Sequence, residues 1–144
     1  MKYLVLAVIL FLIGVGLTQM EREDRIFTPV VRLRTTDGLF VTLIQDANPK
    51  RNACRQAIDR LVESLGSTCA VCSIESTDCA TRLEGVDCAL ANNESVPMYT
   101  VRAEGIRIAM LGPPLAVRAE CEVMAAQMVQ LGLKSATCGA PQLQ

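Results

Sequence analysis

Asp37-Gly38-Leu39-Phe40-Val41-Thr42-Leu43-Ile44 and Glu104-Gly105-Ile106-Arg107-Ile108-Ala109-Met110-Leu111 lie 67 residues apart, and setting one against the other decides the fold. Gly38 aligns with Gly105, Val41 with Ile108 and Leu43 with Met110. Each stretch is an acid-Gly hairpin signal followed by a run of β-formers. The match continues outward. Cys54 aligns with Cys121, and Ala57, Ile58, Leu61 and Val62 align with Met124, Ala125, Met128 and Val129. After a one-residue deletion, Gly66 aligns with Gly132 and Cys72 with Cys138. A pattern of apolar, Gly and Cys positions held through a hairpin and a helix predicts one unit written twice, with both copies sharing a core.

Each copy reads as ββαβ. In the first, Val30–Arg34 and Leu39–Ile44 are the hairpin strands. Asn48-Pro49 opens a helix, since Asn caps and Pro suits the first helical position. Cys54, Ala57, Ile58, Leu61, Val62 and Leu65 then form one buried helical face. Gly66 is the expected helix stop and Cys69–Ile74 the third strand. Residues 75–96, rich in Ser, Thr, Asp and Asn, connect the copies. The second copy runs through Met98–Ala103, Ile106–Leu111, a helix over residues 115–131 and a last strand, Lys134–Cys138. The expected fold is therefore α+β: a duplicated ββαβ unit (29–74 and 97–138) forming one mainly antiparallel sheet, with two helices on one face.

A hydrophobic segment precedes this domain. Tyr3–Leu17 carries no charge, and residues 20–28 read as a polar linker. The run falls between a signal-peptide apolar region of about 7–15 residues and a spanning helix of roughly 18 or more. It is expected to anchor the chain through residues 3–19, with cleavage after a signal segment as the alternative. All seven cysteines follow it, which points to an oxidising compartment. The domain is thus expected in the periplasm, on a single-pass inner-membrane protein.

Composition removes several function classes. The chain contains no His, which excludes Ser-His-Asp triads, Cys-His pairs and imidazole bases. Acidic residues number 15 against 14 basic ones, and no basic stripe suggests nucleic acid. Glu120 and Glu122 flank Cys121 on a helix and read as a solvated face rather than a paired-acid site. Asn93-Glu94-Ser95 matches a glycosylation sequon, a triplet common by chance. No cofactor and no catalysis are expected.

Residues 107–138 carry a family resemblance. Arg107-Ile-Ala-Met-Leu-Gly-Pro-Pro, followed by the helix from Arg118 to Gly132 and the strand ending at Thr137, resembles the second half of a SPOR (sporulation-related) repeat. Residues 41–72 resemble a first half. That half lacks the Gln-Gly-aromatic signature, since Asp46 and Ala47 follow Gln45, and Pro114 stands where Phe is usual. The resemblance implies a bitopic bacterial envelope protein that binds peptidoglycan glycan strands through the sheet face opposite the helices. Alternation places Phe40, Thr42, Arg107 and Ala109 on that face, with Val41, Leu43, Ile108 and Met110 toward the helices. Phe40 and Arg107, an aromatic and a guanidinium at matching positions, suit a sugar chain. An envelope protein partner for the same domain is the alternative.

The cysteines read as staples. From Gly66 back to Cys54 is about 18 Å of helix, and forward to Cys72 about 20 Å of strand. The corresponding lengths for Cys121 and Cys138 are about 17 Å and 20 Å. Pairs Cys54–Cys72 and Cys121–Cys138 are expected, with Cys79–Cys88 closing a loop in the connection and Cys69 left over. Buried reduced cysteines are one alternative. A redox Cys69-Ala-Val-Cys72 motif and zinc held by Cys69, Cys72, Cys79 and Cys88 are others. A strand would point Cys69 and Cys72 to opposite faces, and only one Cys-x-x-Cys is present, so no metal is expected.

Overall fold

The computed structural model describes residues 25–133 and 135–142. The expected N-terminal anchor and residues 20–24 of the linker lie outside these, as does Lys134. Among the described residues no helix is long and apolar enough to cross a membrane.

The chain is α+β. Its elements are β1 (Thr28–Thr35), β2 (Phe40–Gln45), α1 (Arg51–Thr68), β3 (Cys72–Ala80), α2 (Gly85–Ala91), β4 (Tyr99–Ala103), β5 (Ile106–Leu111), α3 (Pro114–Gln130) and β6 (Thr137–Gly139). All six strands form one antiparallel sheet in the order β3-β1-β2-β5-β4-β6. The central pair is β2 with β5, in which Thr42 faces Ala109, Val41 faces Met110 and Leu43 faces Ile108.

The two acid-Gly turns form as expected. Gly38 and Gly105 have φ of 82° and 80°, a region L side chains rarely adopt. Helix α1 starts later than Asn48-Pro49 predicts. Its N-cap is Lys50, while Asn48 exchanges backbone hydrogen bonds with Phe27 at 2.7 and 2.8 Å, so both residues are held to the sheet rim. The first residues of the expected linker's end, Phe27 and Thr28, are thus already part of the sheet layer.

One face of the sheet packs against α1 and α3. Val31, Leu33, Val41, Leu43, Val101, Ile108 and Met110 meet Cys54 and Ile58 of α1 and Val117, Cys121 and Ala125 of α3. This is the aliphatic core that alternation predicts. The opposite face is not bare. Helix α2, from the connection between the copies, lays Leu90 over Val30, Ile44 and Ala109, with Val96 beside it. The connection also holds the second half of β3, which runs to Ala80 instead of ending near Ile74. Two helices lie on one face as expected, and a third covers part of the other.

The disulfides are Cys54–Cys79, Cys69–Cys72 and Cys121–Cys138, and Cys88 is free. The expected Cys121–Cys138 bond forms; Cys54–Cys72 and Cys79–Cys88 do not. The cause is where the chain turns. Gly66 does not stop α1: Ser67 and Thr68 donate hydroxyl hydrogen bonds to the Ser64 carbonyl, and the Cys69 N–H donates to Leu65 O at 2.8 Å. The helix therefore ends three residues later than Gly66 suggests, and β3 starts at Cys72. Seven residues of strand, about 23 Å, then carry Cys79 rather than Cys72 back to the level of Cys54. Cys69 is the C-cap of α1 and not a strand residue, so residues 69–72 form a turn with Cα atoms 5.4 Å apart, within disulfide reach.

Candidate ligand-binding face

The face opposite α1 and α3 carries the four residues expected to bind, and the structure separates them. Thr42 and Ala109 are direct cross-strand neighbours at the centre of the sheet. Ala109 is only 1 % exposed, sealed under α2, and is not available to a ligand. Phe40 and Arg107 lie on opposite sides of this pair. In the antiparallel β2–β5 pairing Phe40 faces Leu111, whereas Arg107 faces Ile44. That is four residues along the strand, about 13 Å. Equal positions in two antiparallel strands run away from each other, so the correspondence of Phe40 with Arg107 does not make them neighbours.

Phe40 sits at the open end. Phe40 is 42 % exposed, and its cross-strand partner Leu111 is 55 % exposed, although both belong to central strands. On the other side Arg34 of β1 faces Phe40 and lays its guanidinium carbon 4.2 Å from the ring centroid, a cation–π contact. Arg34 also pairs with Glu75 of β3 at 2.9 Å. Half-buried Thr42 borders the patch. A hydrophobic ring edge, an aliphatic neighbour and a charged donor thus share one surface, on strands fixed by the core beneath them.

Arg107 is committed to other contacts. Its Nη1 donates to Asp46 Oδ1 at 2.5 Å and its Nε to Asn93 Oδ1 at 3.0 Å. These bonds tie the end of β2 to the loop after α2. Arg32 likewise forms an ion pair with Asp87, fastening α2 to β1. Arg32, Arg34 and Arg102 all lie on the α2 side, while Tyr99 packs into the α1/α3 core. Arg34 and Leu111 are site residues that sequence reading missed. Leu111 keeps the parity of Arg107 and Ala109, a signal present in the sequence. A two-residue Asp37-Gly38 turn, by contrast, would set Arg34 against Val41. It is the three-residue loop Thr36–Gly38, closed by the Thr35 N–H donating to Leu39 O at 3.0 Å, that brings Arg34 across from Phe40.

No group of three or more Cys, Asp or Glu side chains suited to a metal ion occurs among the described residues. Cys69 and Cys72 are bonded to each other at the C-terminal end of α1. Thioredoxin-type pairs sit at a helix N-terminus, where the dipole favours a thiolate. Compared with known proteins, the chain matches no family model, no curated protein and no solved structure.

Proposed function

We propose that this chain is a non-catalytic, membrane-anchored envelope protein whose SPOR-like domain, one ββαβ unit written twice, binds peptidoglycan glycan strands. The observation that carries the reading is the open surface of Arg34, Phe40, Thr42 and Leu111 on the sheet face opposite α1 and α3. Sugar rings present C–H faces that stack on an aromatic ring and hydroxyls that accept from a guanidinium. The chain has only three Phe and no Trp, and it leaves one Phe ring in water here. Duplication is supported by the central pair: Thr42 faces Ala109, its own counterpart at the 67-residue spacing. Cys54 and Cys121, also counterparts, are both fully buried. The apolar run at residues 3–17 and the three disulfides support a single-pass inner-membrane protein with its domain in the periplasm.

The test is co-sedimentation of the full chain, in non-ionic detergent, with purified sacculi, either intact or stripped of stem peptides. Pelleting is expected, and more strongly with stripped sacculi. Phe40→Ala removes the aromatic anchor and is expected to weaken binding about tenfold, the effect of truncating an interface hot spot worth roughly 1–2 kcal/mol. A folded, disulfide-bonded protein that stays in the supernatant rejects the reading.

A second reading, an assembly subunit that contacts other envelope proteins, is favoured by α3. Leu115 and Val123 are exposed on it, away from buried Val117, Cys121 and Ala125. Cross-linking to membrane proteins without any pelleting would select it.

A further inference from the structure

The far end of the same sheet face holds a second, separate site. Arg102 of β4 and Arg107 of β5 are direct cross-strand partners. Like charges placed opposite each other repel, so the arrangement calls for an anion. Among the described residues only Arg107 has one, Asp46 at 2.5 Å. Arg102 donates from Nη2 to the Glu94 carbonyl, and its Nε is buried with no hydrogen-bond partner among the described residues. A buried donor left unpaired is costly, more so on a charged group.

Arg102 and Arg107 both line a cleft of about 390 Å³. Its walls come from four separated segments: Asp46 after β2, Asn93 after α2, the β4–β5 turn, and Ser135 and Thr137 leading into β6. Glu104 at the turn tip is exposed and forms no ion pair among the described residues. Two carboxylates line the cleft as well, Asp46 taken up by Arg107 and Glu104 at the rim. Arg102 is therefore the arginine there that no carboxylate pairs among the described residues, flanked by two hydroxyls and an amide in the volume range of small-molecule sites.

We infer that this cleft binds a small organic carboxylate, with Arg102 as its anchor. A planar carboxylate matches the guanidinium fork in two parallel charge-assisted bonds. Turning the guanidinium into the cleft exchanges the Glu94 carbonyl for the ligand and gives Nε a partner. Ser135 and Thr137 donate to the remaining oxygen positions. The carboxylate can belong to a peptide end or to a sugar acid. The site is independent of the Phe40 surface, which lies at the other end of β2 and β5.

Calorimetric titration of the full chain in non-ionic detergent tests this with three probes: N-acetyl-alanine, glucuronic acid and inorganic phosphate. Saturable binding of N-acetyl-alanine marks a peptide-end source, and of glucuronic acid a sugar-acid source; either supports the site. Binding of phosphate alone, or of nothing up to millimolar concentrations, overturns it. Arg102→Met is expected to weaken binding at least tenfold, while Arg34→Ala leaves it unchanged. Arg102→Lys keeps the charge without the fork and is expected to lose several-fold, which covers the case in which Arg102→Met fails to fold. Unchanged affinity in the folded Arg102 variants overturns the assignment. Arg34→Ala and Phe40→Ala report on glycan binding alone, so failure of one site leaves the other standing.

Discussion

Gly112 stands where the chain leaves β5 for α3, and it has no room for a methyl group. A Cβ there would lie 2.6 Å from Leu39 Cδ2 and 3.2 Å from Val117 Cγ2. Both side chains are buried in the main core, so neither yields freely. Gly112→Ala is expected to destabilise the fold by about 1–3 kcal/mol, the usual cost of overpacking, read as a lower midpoint in urea. Gly112-Pro113-Pro114 announces the end of a strand in the sequence; the close approach of Leu39 is a tertiary fact that no local pattern carries. The cysteines divide in the same way. Cys121 and Cys138 were legible as a pair because Gly132, with φ of 97°, ends its helix where the spacing places the turn. Cys54 pairs with Cys79 rather than Cys72 because Gly66 adopts helical backbone and the true turn, residues 69–71, has no Gly or Pro to mark it.

Among the elements, α2 changes most about the site. It is seven residues long, too short for a 3.6-residue period to stand out, and Gly85 opens it. Its single deeply buried anchor is Leu90, at 0 % exposure, pressed on Val30, Ile44 and Ala109. The Arg32–Asp87 ion pair and the Arg107–Asn93 hydrogen bond hold its two ends. Leu90→Ala is expected to cost about 2–5 kcal/mol, as for other deeply buried leucines. Thermal unfolding of the oxidised protein checks this; a change below about 1 kcal/mol would mean that α2 is not clamped to the sheet. The alternation in β2 and β5 gave each residue its correct face. It could not say that the face expected to be open is half covered, because the covering segment reads as a polar connection in the sequence.

At the scale of the whole molecule the sheet order, β3-β1-β2-β5-β4-β6, follows from the two hairpins and the strand after each long helix. The sheet class, α1 and the main core were legible because they rest on strong periods, 2 in the strands and 3.6 in α1. Helix α3, apolar on several sides, was legible from its alignment with α1 and from Pro113-Pro114 and Gly132 at its ends. The covalent frame was legible only in part. Alkylation of the native, unreduced protein is expected to label one cysteine, Cys88, and alkylation after reduction all seven. Peptide mapping should find Cys54 joined to Cys79; finding it joined to Cys72 would refute the observed frame. The two bonds that span 25 and 17 residues should each contribute about 3 kcal/mol by shortening the loops open to the unfolded chain.

Those bonds also never cross the middle of the sheet. Cys54–Cys79 encloses Cys69–Cys72 on the β1–β2 side, and Cys121–Cys138 lies wholly on the β4–β5 side. Drawn as a graph of covalent links, the described domain is two closed rings joined by one thread, residues 80–120, which includes α2 and the free Cys88. A single protease cut in the exposed stretch Thr81–Arg82 would therefore turn one polypeptide into two, each still locked by its own cross-links. The six facing residue pairs of β2 and β5, the seat of α2 on β1 and β2 and the Arg107–Asp46 pair would then keep the pieces together, as in an assembly of two subunits.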